Sequence, residues 1–236
     1  MTYKCVEVRF HNPQTLFDLT LPIAVFKEAT EALDDVIVGC NFNKYCEDPR
    51  DPRPRLSIRL NVCADEKTVA SVLNRVLQKI QREERILDYD RNLKDWNEPD
   101  FVIAAHEAAS ECAVIFSEEL TAKPALRSRF LDKKADFMGH FTKTMLRRAG
   151  FTPYISWTFL RSKPPEGIEE LAESCVPPLS RTICDVKMNP DFLERFVHCF
   201  FNCTTDLDTE RTVMNWYLSS VLWTQLAASA TGEFWD

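Results

Sequence analysis

Apolar and polar residues alternate over 4–10 (CVEVRFH), the period of a half-buried strand. Helical spacing then runs through 21–33 (LPIAVFKEATEAL), with Pro22 near its start. Two further strands are expected at 36–42 (VIVGCNF) and 55–62 (RLSIRLNV), parted by EDPRDPRP (47–54), whose three prolines cannot sit inside a ladder. Val69, Val72, Leu73, Val76, Leu77 and Ile80 form one stripe at steps of three and four. They predict a helix over 66–84, with Asp65 as its N-cap. DYDRNLKDWNEPD (88–100) reads as a polar connection, and helices are expected over 101–120 and, as one piece ending at Gly150, over 128–150.

ISWTFL (155–160) is a strand or an apolar connector, and SKPPEG and CVPPLS read as proline-marked breaks around a short helix, GIEELAESC. Two long helices close the chain. They are NPDFLERFVHCFFNC, with Asn189 as cap and Pro190 in its first turn, and DTERTVMNWYLSSVLWTQLAAS. The sum is an α+β fold in which an N-terminal sheet with a covering helix (1–99) precedes a mainly helical half (100–236). With no repeat or flexible linker, it reads as a single domain.

With 236 residues, 45% of them hydrophobic, the chain can bury a full core. No apolar run reaches the ~18 residues that a membrane helix needs, and the N-terminus enters a strand pattern directly. Nine cysteines, an odd number scattered through apolar segments, suit reduced core thiols. A cytoplasmic location is the expectation. The net charge of -7 argues against a general DNA-binding surface. Arg50, Arg53, Arg55 and Arg59 form a local basic cluster, partly offset by Glu47, Asp48 and Asp51.

Five glycines, at 39, 139, 150, 167 and 232, cannot assemble a phosphate loop or a dinucleotide fingerprint. No CxxC pair exists, and His106-Glu107 is no HExxH because position 110 is Ser, so no metal and no cofactor are expected. His11, His106, His140 and His198 each lie in or beside apolar patterns, where a hydrogen-bonded core imidazole is the default. His198 and Asn202 are one helical turn apart and share a face, an arrangement suited to proton transfer or carbonyl binding. Trp216 and Trp223, seven apart on an apolar face, read as core.

Taken in order, FNKYCEDPRDPRPRLSIRL, the helix 66–84, LDYDRNLKDWNEP, AAHEAASECAVIF and FVHCFFNCTTDLDTERTV cover most of the chain. They resemble segments of the small C-terminal domain of class I lantibiotic dehydratases, also known as the thiopeptide-type bacteriocin biosynthesis domain. The corresponding family patterns are FIRYxxPGPHLRLRF, a helix, TYxREIERYGG, LFHADSxAVL and LLHMHxNRLLGxDRxxE. His198, Asn202 and Glu210 keep the spacing of the last of these.

The departures bear on mechanism. Ser57 stands where the first arginine of the RLR pair belongs, Arg59 keeps the second, Asp95 and Trp96 replace the arginine and tyrosine of ERYGG, and Phe200 replaces the second histidine of HMH. In the family, such arginines and a histidine hold glutamyl carboxylates while glutamate is eliminated from a glutamylated Ser or Thr. Each missing charge-assisted bond would forfeit roughly 1.5–3 kcal/mol, which argues against elimination here. Stand-alone members, the pyridine synthases, join two dehydroalanines by a formal [4+2] cycloaddition and release the leader peptide. The resemblance therefore implies a tailoring enzyme for a ribosomally made precursor peptide. His198, Arg59 and Tyr45 would be catalytic, and Arg55, Asn202 and Ser57 would bind substrate. The precursor peptide, leader and core, is the expected partner, together with a glutamylating dehydratase. Two alternatives stay open: an eliminase using Arg59, Arg55 and His198, and a non-catalytic peptide-binding scaffold.

Overall fold

The structure is a computed structural model that describes residues 3–11, 20–45, 55–150, 163–186, 190–206 and 208–218, with backbone alone at 45, 181–186 and 190. The segment 155–160, read as a strand or an apolar connector, the Asn189 cap and the chain beyond 218 lie outside the described residues. An antiparallel sheet is followed by helices, so the fold is α+β. Strand β1 (Tyr3–Arg9) is central. On one side it pairs with β3 (Arg55–Val62), which pairs in turn with β2 (Ile37–Tyr45). Its other side pairs with β4 (Asp88–Tyr89) and β5 (Lys94–Trp96). The expected polar connection over 88–100 therefore holds two strands. At two and three residues they are too short to show a period, and it is pairing with β1 that defines them.

Alternation divides the sheet into two unlike faces. Val6 and Val8, Phe42, and Leu56, Ile58 and Leu60 lie on one, within a single core that also takes in α1 (Thr20–Glu31) and α2 (Glu66–Arg82). Asp65 accepts from Thr68 N at 3.0 Å and starts α2, whose Val69, Leu73, Leu77 and Ile80 are buried. Lys4, on that same sheet face, bonds Glu66 at 2.8 Å and ties the start of α2 to β1. On the other face, the cross-strand rows are Cys5–Arg59–Asn41 and Glu7–Ser57–Asn43, which are polar.

Helix α3 (Asp100–Ala122) and α7 (Pro190–Thr204) pack on each other and against β2, the edge strand. There Phe42 N donates to Ser110 Oγ at 2.9 Å and the Cys203 thiol donates to Phe42 O at 3.3 Å, which satisfies backbone groups that an open edge would leave to solvent. The expected helix 128–150 is two helices, α4 (Pro124–Asp132) and α5 (Lys134–Arg148), broken at Lys133 with φ -138 and ψ 61. Phe130 and Phe137 would lie about 10.5 Å apart along a straight helix. The bend sets their rings 5.4 Å apart, both against Phe116 of α3.

Helix α6 (Ile168–Val186) also corrects an expectation, because it continues through Pro177 and Pro178 instead of stopping before them. Its buried Ile168, Leu171, Ala172, Cys175 and Leu179 pack with α3 and α5, and this burial offsets the cost of its two interior prolines, ~3 kcal/mol each. Residues 208–218 form α8. Among the described residues, no helix is long and apolar enough to cross a membrane.

The stripe of α2 is the element on which the covered sheet face depends. Leu77→Ala should lower unfolding free energy by about 2–5 kcal/mol, and Asp65→Ala by about 1 kcal/mol, in urea titrations with an unchanged m-value. A loss below about 1 kcal/mol for Leu77→Ala would mean that α2 does not cover the core.

Candidate functional site

Arg59 lies on the polar face of β3, and its side chain turns inward where a surface arginine would turn out. It is 4% exposed, its Cζ sits 4.2 Å from the centre of the Trp96 ring, and its Nη1 donates to His106 Nδ1 at 3.0 Å and toward Asn41 Oδ1 at 3.4 Å. Desolvating a guanidinium is costly, and here an indole covers its flat face while an imidazole and an amide accept from Nη1. Trp96 comes from β5, and its ring also meets Tyr3 and His106 edge-on at 5.6 and 5.4 Å.

Arginine is always a donor, so His106 Nδ1 must be the acceptor and the proton of the neutral ring sits on Nε2. That nitrogen faces Cys199 Sγ at 3.4 Å. Burial, then the cations of Arg59 and Arg195, pushes His106 down to about 3. Burial likewise pushes the Cys199 thiol up to about 12. A protonated thiol facing an N–H is the reverse of a nucleophile facing a base, so Cys199–His106 is no catalytic dyad.

One residue before Cys199, on the adjoining face of α7, His198 behaves differently. Its side chain is 42% exposed, and its Nδ1 lies 3.0 Å from Oε1 of Glu210, which is only 10% exposed. With the Asn202 amide turned to satisfy its neighbours, Nδ2 donates to Glu210 Oε2 at 2.7 Å and Oδ1 accepts from His198 Nε2 at 3.2 Å. A carboxylate on α8 and an amide one turn along α7 thus hold one imidazole between them. Below it, Asp206 accepts from Thr209 N at 2.8 Å and pairs with Lys134 at 2.7 Å, which fixes the turn that carries α8.

The expected site residues do not all meet. Arg59 and His198 flank His106 and Cys199, while Ser57 is buried with its Oγ 3.1 Å from Cys5 Sγ. Arg55 is partly exposed with Glu7 4.0 Å away. Tyr45 pairs with Arg55 through the backbone, and its side chain lies outside the described residues. His11 is exposed, against the core role expected of it, because it follows β1 beyond the last paired residue. Seven described cysteines are free thiols.

Three participants carried no legible signal. Trp96 lies in a strand too short to read, Asn41 gained meaning only from its register opposite Arg59, and Lys44 lies buried in the row of Cys40 and Phe42. At the far end of the layer, Tyr3 donates to Glu107 at 2.5 Å beside Gly39, where a Cβ would meet Glu107 Oε1 at 2.3 Å. Only glycine leaves room for that pair.

His106 gives the layer an acid sensitivity. Its folded value near 3 is below the ordinary 6.5, so between those limits the unfolded chain binds more protons. Stability should therefore fall as pH drops through that window, by up to about 1.4 kcal/mol per pH unit, with no contribution at pH 7. His106→Asn keeps an acceptor for Arg59 but cannot take a proton. Urea midpoints between about pH 6.5 and 4.5 should fall less steeply in this variant than in the unaltered protein, and equal slopes would contradict a buried neutral His106.

Compared with protein-family models and with curated proteins, the chain matches neither.

Proposed function

We propose that this protein tailors a ribosomally made precursor peptide by joining two dehydroalanines in a formal [4+2] cycloaddition, with His198 as its proton-transfer group. The observation that carries this reading is the His198–Asn202–Glu210 cluster, a half-exposed imidazole oriented by a nearly buried carboxylate and an amide. Carbon–carbon bond formation between two held segments is catalysed mainly by their positioning. The steps that follow, loss of water and release of the leader, each require a proton withdrawn from one atom and delivered to a leaving group. One oriented imidazole can do both in turn. The residues that keep the spacing of the family segment LLHMHxNRLLGxDRxxE, His198, Asn202 and Glu210, are the ones in this cluster.

Glutamate elimination fits less well. A clamp for a glutamyl carboxylate needs arginines that present free donors, whereas Arg59 is buried under Trp96 and engaged with His106, and Ser57 replaces its companion. A peptide-binding scaffold would leave the oriented imidazole without a task.

Incubation with a peptide carrying two dehydroalanines behind a leader should give, by mass spectrometry, a core product and a released leader. His198→Ala should lower turnover by at least about 100-fold while leaving the fold intact. Peptide recovered bound but unchanged would replace this reading with the scaffold. Glutamate released from a glutamylated peptide would replace it with elimination.

A further inference from the structure

Several of the described thiols face something other than a second cysteine: Cys5 faces Ser57, Cys199 faces His106, and Cys203 donates to Phe42 O. Cys112 on α3 and Cys175 on α6 differ. Both are fully buried, Cys112 Sγ donates to Cys175 O at 3.3 Å, and Cys175 Sγ donates to Cys112 O at 3.6 Å. Contacts that run in both directions require the two side chains to point across one helix interface at the same level, with the backbones close enough for a short side chain to span the gap. That is the disposition a disulfide needs, and both residues are free thiols.

We infer that Cys112 and Cys175 are a modification site, at which a small-molecule disulfide of the glutathione type oxidises the two thiols to a cystine that staples α6 to α3. One protein thiolate attacks the small disulfide, forming a mixed disulfide and expelling one small thiolate. The other protein thiolate then attacks the protein sulfur of that mixed disulfide, and the second small thiolate leaves. Two protein thiols are oxidised, one small disulfide is reduced to two thiols, and the protons lost by the protein end on the small thiolates. Within the protein, two S–H···O bonds are exchanged for one S–S bond.

The fold controls access to this reaction. Burial, then the neighbouring Cys175 thiol, holds Cys112 well above the ordinary thiol range, so in the closed protein it stays protonated at neutral pH. Just beyond Cys175, Pro177 and Pro178 supply no N–H to the ladder of α6, which is therefore two donors short where the pair sits. Local opening of α6 there exposes the pair, and re-docking brings the second sulfur onto the mixed disulfide. The bond closes the chain across α4 and α5 and holds α6 to the helix that carries His106. The inference is independent of the peptide chemistry proposed for His198.

The test is incubation of the full chain with oxidised glutathione at about pH 8, followed by alkylation of the remaining thiols and peptide mapping by mass spectrometry. The expected product is a cross-linked pair of peptides carrying Cys112 and Cys175, lighter than the two separate thiol peptides by two hydrogens. The chain oxidised there should have an unfolding constant in urea at least about ten-fold smaller than that of the reduced chain, and dithiothreitol should reverse the difference. Recovery of both residues as alkylated thiols, or a glutathione adduct on either that never closes, would overturn the inference. So would a cross-linked chain no more stable than the reduced one. Cys112→Ser and Cys175→Ser should each abolish the cross-link and the gain in stability, and persistence of the gain in either variant would assign it to another pair and remove the staple. Should a variant fail to fold, the map and the urea comparison of the unaltered chain decide alone.

Discussion

The burial of one guanidinium sets the terms for the region between sheet and helices. Arg59 sits in the middle of the sheet, on the face turned away from α1 and α2, and a charge there is tolerable only if each side of it is matched. Trp96 covers its flat face, Asn41 on the neighbouring strand accepts from it, and His106 on α3 takes its shorter hydrogen bond. Those three partners come from β5, β2 and α3, so satisfying a single side chain fixes a short edge strand, the opposite edge strand and a long helix relative to one another. Cys199 extends the contact to α7, and the second histidine of the layer follows from there.

The same arrangement divides the chemistry. Two histidines come close together with opposite surroundings: His106 is enclosed and forced into one neutral tautomer by a permanent donor, and His198 is partly open and faces a carboxylate. What separates them is access: His106 is buried with its one proton turned toward the Cys199 thiol, whereas the His198 side chain is partly exposed, as the proposed proton transfer requires. Arg59, whose sequence position resembles that of a carboxylate-binding arginine, is withdrawn from that role by Trp96. A dehydroamino-acid substrate without a glutamyl group requires no such arginine, which is why the cycloaddition reading accommodates its burial.

Much of the fold was legible because its signals are long. The stripe of α2 and the alternation of β3 each extend over several repeats, and the structure follows them to within a residue or two. The misreadings share a cause. Two short strands, the bend at Lys133 and the prolines inside α6 are decided by what lies across from them: β1 for the strands, Phe116 for the bend, and the surfaces of α3 and α5 for the proline-bearing helix. The site divides likewise. His198 and Asn202 could be paired from helical spacing, whereas the joining of Arg59 to His106, 47 residues away, needed the register of the sheet and the docking of α3.

The central claim is that Arg59 holds His106 as the neutral Nε2–H tautomer inside the protein. Long-range ¹H–¹⁵N correlation of the histidine rings tests it directly. The expected spectrum shows His106 with an unprotonated, hydrogen-bonded Nδ1 and a protonated Nε2 at neutral pH, unchanged at pH 5, since its protonation lies near 3. A proton on Nδ1, or an imidazolium at pH 5, would mean that Arg59 does not donate to this ring, and the layer built on that bond would have to be drawn differently.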